Sequence, residues 1–178
     1  MNINLNTYTI YGEDMYNLNV FLIYSVLGNI FERILMNIRH VDYVSGFMGT
    51  IFTPLYGIAI LIILFIHKKI KINNNILKIL VEFIIFLLVL SFLEIISGLL
   101  ILNIFNKVYW NYDRMKYNIG KYISLETGIL WGIMGLIAVY IIHPIINVLI
   151  KYTPKIVTII LSIIFIINLI YVLIVKLT

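Results

Sequence analysis

Five long apolar segments, separated by short polar connectors, fill almost the whole of this 178-residue chain. A helix needs about 20 consecutive apolar residues to cross the hydrocarbon core of a bilayer. The pattern therefore predicts an all-α integral membrane protein, a bundle of five transmembrane helices in one polytopic domain, 1–178. An aromatic-rich polar loop joins the third and fourth helices. The predicted helices cover roughly 18–38, 54–66, 76–102, 123–150 and 155–176.

The composition agrees with lipid as the solvent, since 62% of the residues are hydrophobic, more than an ordinary soluble domain contains. There is no cysteine, which excludes disulfides and thiolate metal sites. The three histidines have no ligand spacing, so we expect neither a metal nor another cofactor. The chain lacks the GxxxxGK[ST] motif. ATP-driven transport would therefore need a separate ATPase subunit.

The number of basic residues is nearly equal on the two faces of the predicted bundle, so the positive-inside count alone does not give the orientation. The net charge is +5, which in a membrane protein indicates contact with anionic lipid and not with nucleic acid. Lysines follow the second and fourth predicted helices. The basic residues of the opposite face are mixed with aromatic ones and are interpreted as a folded polar surface. We therefore expect a cytoplasmic N-terminus. The richness in Ile, Asn, Lys and Tyr is typical of AT-rich bacterial genomes, so we expect the protein in the inner membrane of a bacterium.

Among the glutamates within the apolar segments, Glu32, Glu94 and Glu126 are the candidates for a shared site. With a helical rise of ~1.5 Å per residue, all three lie in the same half of the membrane, so we expect them to converge. Lipid would penalise each charge by about 2.5–3.5 kcal/mol or more, so the carboxylates should face inward. Two interpretations stay open: a polar or proton-linked site, and a structural ion-pair network. The candidate partners are Arg33, Arg39, Arg114, Lys116 and Lys121.

Other features have a structural interpretation. Gly128 and Gly132 form a GxxxG motif, which predicts close helix packing. Trp110 and the tyrosines around it are consistent with an interfacial aromatic belt or with a binding site. His143-Pro144 predicts a kink in the fourth helix, and His67 is expected at the lipid headgroups.

A series of short motifs resembles one known family. Their order and spacing, over roughly 21–147, resemble the bacterial CmpB-like type IV ABC-transporter membrane proteins. This chain departs from the family pattern at Ser45, where the family has Arg, and at Lys121, where it has Gly. The matching motifs are Tyr24-Ser25 with Gly28 and Glu32, Gly46-Phe47-Met48, Pro54-Leu55-Tyr56-Gly57, Glu94, Trp110 with Tyr112, Asn118, Leu125-Glu126, Leu130-Trp131-Gly132 and His143-Pro144.

The resemblance implies a transporter or permease-type subunit that moves or binds a small polar or anionic molecule. Its expected partners are membrane lipids and either a separate ATPase subunit or a second copy in a homodimer. Two alternatives remain: an intramembrane enzyme acting on a lipid or lipid-linked substrate, and a regulatory or scaffold partner of another membrane protein. No recognised catalytic motif occurs, which favours a non-enzymatic role. The candidate binding residues are Tyr24, Glu32, Tyr56, Glu94, Trp110, Tyr112, Asn118, Glu126 and Trp131.

Overall fold

The computed structural model describes residues 12–38 and 49–177, and the regular elements in these ranges are all helices. Arg39 and the Gly46-Phe47-Met48 motif lie outside the described residues. Five continuous helical stretches correspond to the five predicted helices, because α4, a π-helix and α5 follow one another without a break. The helices are α1 (Glu13–Ile38), α2 (Pro54–Lys69), α3 (Asn75–Phe105), α4 (Leu125–Ile137), the π-helix (Ala138–Ile142), α5 (His143–Tyr152) and α6 (Lys155–Leu177).

The first two helices are longer than predicted because charged residues suit their ends. Glu13 and Asp14 lie in the first turn of α1, where the positive end of the helix dipole favours carboxylates. His67, Lys68 and Lys69 form the last turn of α2, where the negative end favours cations. Both helices therefore continue beyond their apolar segments.

The ends of α3 and the start of α4 are set by capping residues. The Asn74 side chain accepts hydrogen bonds from the first backbone N–H groups of α3, as a good N-cap does. Asn106 ends α3 with φ 51°, the left-handed conformation of a C-cap. Ser124 and Thr127 form a reciprocal capping box at the start of α4.

Within the residues that the structure describes, three helical stretches are long and apolar enough to cross a membrane: Asn75–Phe105, Leu125–Tyr152 and Lys155–Val175. They identify the chain as a membrane protein. The α2 helix has 16 residues, which at ~1.5 Å per residue is shorter than the ~30 Å hydrocarbon core. Whether α1 and α2 also span the membrane stays a prediction.

The chain divides into two compact units. The first comprises Met1–Leu61 with Ile145–Thr178, and the second comprises Ile62–Pro144. In the first unit, a hydrogen bond of 2.7 Å from the Thr158 hydroxyl to the Asn19 amide oxygen joins α6 to α1, with both side chains buried. The single polytopic domain stays a prediction.

In the second unit, α3 packs closely against α4 across the glycines of α4. A methyl group added at Gly132 would lie 2.8 Å from the ring of Phe83, and one at Gly128 would lie 2.9 Å from the Ser91 hydroxyl. A side chain at either position would therefore push the helices apart. The packing role predicted for the GxxxG motif is confirmed.

A kink was predicted at His143-Pro144. The structure has a π-helix, Ala138–Ile142, directly before these residues. The N–H of His143 donates to the carbonyl of Ala138, five residues earlier. Pro144 has no N–H to donate and its ring crowds the preceding turn, which gives a physical reason for the wider turn here. Short π-helical segments inside α-helices are frequent at functional sites.

Candidate functional site

The side chain of Glu94 is the centre of a polar cluster in the second unit. Glu94 is only 5% exposed. The hydroxyl of Tyr112 donates to its Oε1 at 2.7 Å, and the indole N–H of Trp131 donates to its Oε2 at 2.9 Å. Three of the candidate residues thus come together, one from α3, one from α4 and one from the connecting loop.

The loop of residues 106–124 is ordered by its own backbone hydrogen bonds. The N–H of Tyr112 donates to the carbonyl of Lys121 at 2.8 Å, and the N–H of Leu125 donates to the carbonyl of Tyr117 at 3.0 Å. Burial raises the pKa of the Tyr109 hydroxyl in the same loop. The loop is therefore a folded surface, as predicted, and it holds Tyr112 beside α3.

The hydrogen-bond partners of Glu94 are neutral, which corrects the expectation of basic partners. Within the described ranges, no lysine or arginine forms a salt bridge with Glu94. Arg114, Lys116 and Lys121 are exposed. A basic side chain on a surface loop can stay in water, whereas pairing inside would cost the desolvation of both charges. Glu94 is thus a buried carboxylate satisfied by hydrogen bonds alone.

Trp110 contributes to the same end of the second unit. Its ring contacts that of Tyr122 edge to face, with centroids 5.9 Å apart. Tyr122 packs against Gly98, where an added methyl group would lie 2.5 Å from the tyrosine ring. Gly98 lies four residues after Glu94 on α3. The Trp110 indole N–H and the Tyr122 hydroxyl are buried, with no hydrogen-bond partner among the described residues.

Asn118 and Glu126 lie apart from the bonds that hold Glu94. The Asn118 amide donates to the carbonyl of Gly120 at 3.3 Å, so this side chain shapes the loop. Glu126 is exposed in the first turn of α4. The next residue, Thr127, is buried. The structure therefore does not bring Glu126 into the Glu94 cluster.

Tyr24, Glu32 and Tyr56 belong to the first unit. The Thr53 hydroxyl donates to Glu32 Oε2 at 3.4 Å, a long hydrogen bond. The ring of Tyr56 packs directly against Gly28, and Tyr24 is 7% exposed. The predicted convergence of all three glutamates stays a prediction.

A second buried carboxylate, Glu82, was not among the residues predicted from the sequence. It is fully buried in α3. Its Oε1 lies 2.9 Å from His67 Nδ1 and 3.7 Å from Lys78 Nζ, and its Oε2 accepts a 2.7 Å hydrogen bond from the Tyr140 hydroxyl. His67 contacts this carboxylate, and its predicted position at the headgroups stays a prediction. The available signal was the i, i+4 spacing of Lys78 and Glu82 within an apolar segment.

Comparison with known proteins identifies the family. The family model described as "Putative ABC-transporter type IV" matches residues 19–176. No curated protein sequence and no solved structure shows a significant match. The matched range covers most of the chain, including α3, α4 and the loop between them. The chain therefore belongs to the CmpB family of type IV ABC-transporter-like membrane proteins.

Proposed function

We propose that this protein is a membrane subunit of a transport system and that it binds a small polar or anionic molecule at the Glu94 cluster. The observation that carries the proposal is a buried carboxylate in a membrane-spanning helix whose hydrogen-bond partners, Tyr112 and Trp131, are both neutral. An ionisable side chain inside a membrane segment is costly, and is therefore a candidate for function.

The chemistry of the cluster suits a ligand that carries hydrogen-bond donors. Each Glu94 oxygen accepts one hydrogen bond from the protein, and a carboxylate oxygen has the capacity to accept a second. A hydroxyl or ammonium group of a ligand would use that capacity. The exposed Arg114, Lys116 and Lys121 in the adjoining loop would attract an anionic group to the same end.

The family description supports an ATP-driven system, and the chain has no P-loop. We therefore assign ATP hydrolysis to a separate subunit. The proposed arrangement has five membrane-spanning helices with the N-terminus in the cytoplasm, in the inner membrane of a bacterium. In this arrangement the loop between α3 and α4 faces outward, which gives a ligand from outside access to the Glu94 cluster.

Intrinsic tryptophan fluorescence tests the proposal, because the chain has two tryptophans and Trp131 donates to Glu94. The purified protein would be titrated with amino acids, sugars, sugar phosphates and quaternary ammonium compounds. We expect one chemical class to give a saturable change that Glu94→Gln abolishes. Glu126→Gln, which changes an exposed carboxylate on the next helix, is the matched control. A full response in folded Glu94→Gln protein, or no response to any class, would count against the proposal.

A further inference from the structure

We propose that Glu82, His67 and Tyr140 form a proton-binding site, separate from the Glu94 cluster, that takes up its proton from solvent through His67. Glu82 and Glu94 are twelve positions apart in α3, about 18 Å along the axis at ~1.5 Å per residue. Glu82 lies near the end of α3 that adjoins the α2–α3 connector, and Glu94 lies toward the opposite end. The inference does not depend on the substrate proposed for Glu94.

The difference in burial between Glu82 and His67 defines a path for the proton. The side chain of Glu82 is 0% exposed, whereas that of His67 is 19% exposed. His67 Nδ1 lies 2.9 Å from Glu82 Oε1, so one nitrogen of the ring faces the carboxylate. The partly exposed imidazole thus connects the buried carboxylate to the surface, and an imidazole can carry a proton on either nitrogen.

The transfer step balances without any other reactant. In the ionised state of Glu82, the Nδ1–H of His67 and the hydroxyl of Tyr140 both donate to the carboxylate. A proton from solvent binds His67 Nε2, and the Nδ1 proton passes to Glu82 Oε1. The products are a neutral histidine protonated at Nε2 and a neutral carboxylic acid. Tyr140 continues to donate to Oε2 in both states.

The charged groups around Glu82 favour a reversible site. Lys78, one turn earlier on α3, lies 3.7 Å from Oε1 with a side chain 23% exposed. When Glu82 is neutral, the Lys78 ammonium can extend into water along its flexible stem. His143, at the start of α5, lies within electrostatic range of His67. Lys68 and Lys69, which follow His67 in the chain, are exposed. Proton binding therefore replaces the ion pair between the buried Glu82 and the partly exposed Lys78 by a neutral acid.

The position of Tyr140 links the site to the shape of the fourth helical stretch. Tyr140 lies in the π-helix, and its ring contacts that of His67 edge to face, with centroids 5.2 Å apart. A hydrogen bond to a carboxylate is stronger than one to a neutral acid. Protonation of Glu82 thus weakens the bond that ties the π-helix to α3.

Infrared spectroscopy of the purified protein during a pH titration tests the inference, since a protonated carboxyl has a carbonyl stretch separate from the carboxylate bands. The chain has eight Asp and Glu residues, so the band of Glu82 is the component of the carboxyl signal that Glu82→Gln removes. We expect this band to appear reversibly in the native protein. Glu94→Gln, a matched change in the same helix, should keep it. His67→Asn leaves a donor near the Nδ1 position but no titratable ring, and should shift the midpoint or slow the appearance of the band.

Three results would overturn the inference: no pH-dependent carboxyl band in the native protein, the same band in folded Glu82→Gln protein, or an unchanged band and rate in His67→Asn. If Glu82→Gln does not fold, the other two variants decide. A band that persists in Glu94→Gln and changes in His67→Asn supports the site, and any other combination contradicts it.

Discussion

The indole N–H of Trp131 donates to the carboxylate of Glu94 at 2.9 Å, across a separation of 37 positions in the chain. The two residues lie on helices that the glycines of α4 allow to pack closely. Trp131 immediately precedes Gly132, so the close approach of the helices and the hydrogen bond occur in the same turn of α4. Helix packing and the polar cluster therefore depend on each other.

Trp131→Phe removes the N–H but keeps an aromatic ring. A hydrogen bond to a charged group contributes about 1.5–3 kcal/mol, so the free energy of unfolding should fall by that order. Equilibrium unfolding of the detergent-solubilised protein measures the change. Tyr112→Phe, which removes the donor to the other oxygen, is the matched variant and should cost a similar amount. Native stability in both variants would show that the cluster does not stabilise the fold.

Glu94→Gln should be coupled to Trp131→Phe. The glutamine amide has one acceptor oxygen and one NH₂ donor group. The NH₂ group must therefore face the donor of either Tyr112 or Trp131, and two donors cannot form a hydrogen bond. With Trp131 already replaced, the amide can turn its oxygen to Tyr112, and the second change should cost less than in the native background. A double-mutant cycle should give a coupling of about 0.5–3 kcal/mol. Strict additivity of the two changes would contradict the observed geometry.

Gly98→Ala should destabilise the second unit. The new methyl group would lie 2.5 Å from the Tyr122 ring, and overpacking of this kind costs about 1–3 kcal/mol. At Gly135 the nearest atom is a Phe86 ring carbon at 3.0 Å, and alanine gains roughly 1 kcal/mol of helix propensity over glycine. Gly135→Ala should therefore be near neutral. Thermal unfolding measures the stability of both variants. A larger loss of stability in Gly135→Ala than in Gly98→Ala would contradict the prediction.

Glu126→Gln should leave the fold nearly unchanged. The side chain is exposed in the first turn of α4, where a carboxylate gains about 0.3–1 kcal/mol from the helix dipole. The expected loss of stability is within that range and smaller at high salt. Equilibrium unfolding at two ionic strengths checks both statements. A loss as large as that of Trp131→Phe would mean that Glu126 has a buried partner in the membrane.

Single cysteines test the proposed orientation, because the native chain contains none. Asn73 and Lys107 are exposed and lie next to the cap residues Asn74 and Asn106, which should be left intact. In whole cells an impermeant thiol reagent should label Lys107→Cys and spare Asn73→Cys. The opposite pattern would reverse the orientation, and labelling of both would be incompatible with α3 as a span.

The sequence was sufficient for the helices and for part of the site. In a chain whose solvent is lipid, the length of each apolar run decides where a helix lies, because backbone polar groups must be satisfied within it. The predicted bounds of α3 and α6 are accordingly within a few residues of those observed. The glycine spacing on α4 and the position of Glu94 in the half of α3 next to the loop 106–124 also followed from position along the chain. Trp131 was a candidate through the family resemblance.

Only the tertiary structure decided which groups pair. Charge complementarity in the sequence favoured basic partners for Glu94, but the fold brings two neutral donors to it and leaves the loop cations in water. Glu82 meets His67 across 15 positions and Tyr140 across 58, separations that no helical periodicity connects. Packing places these groups together. Burial then makes each hydrogen bond important for stability, since a buried carboxylate without partners would cost several kcal/mol or more.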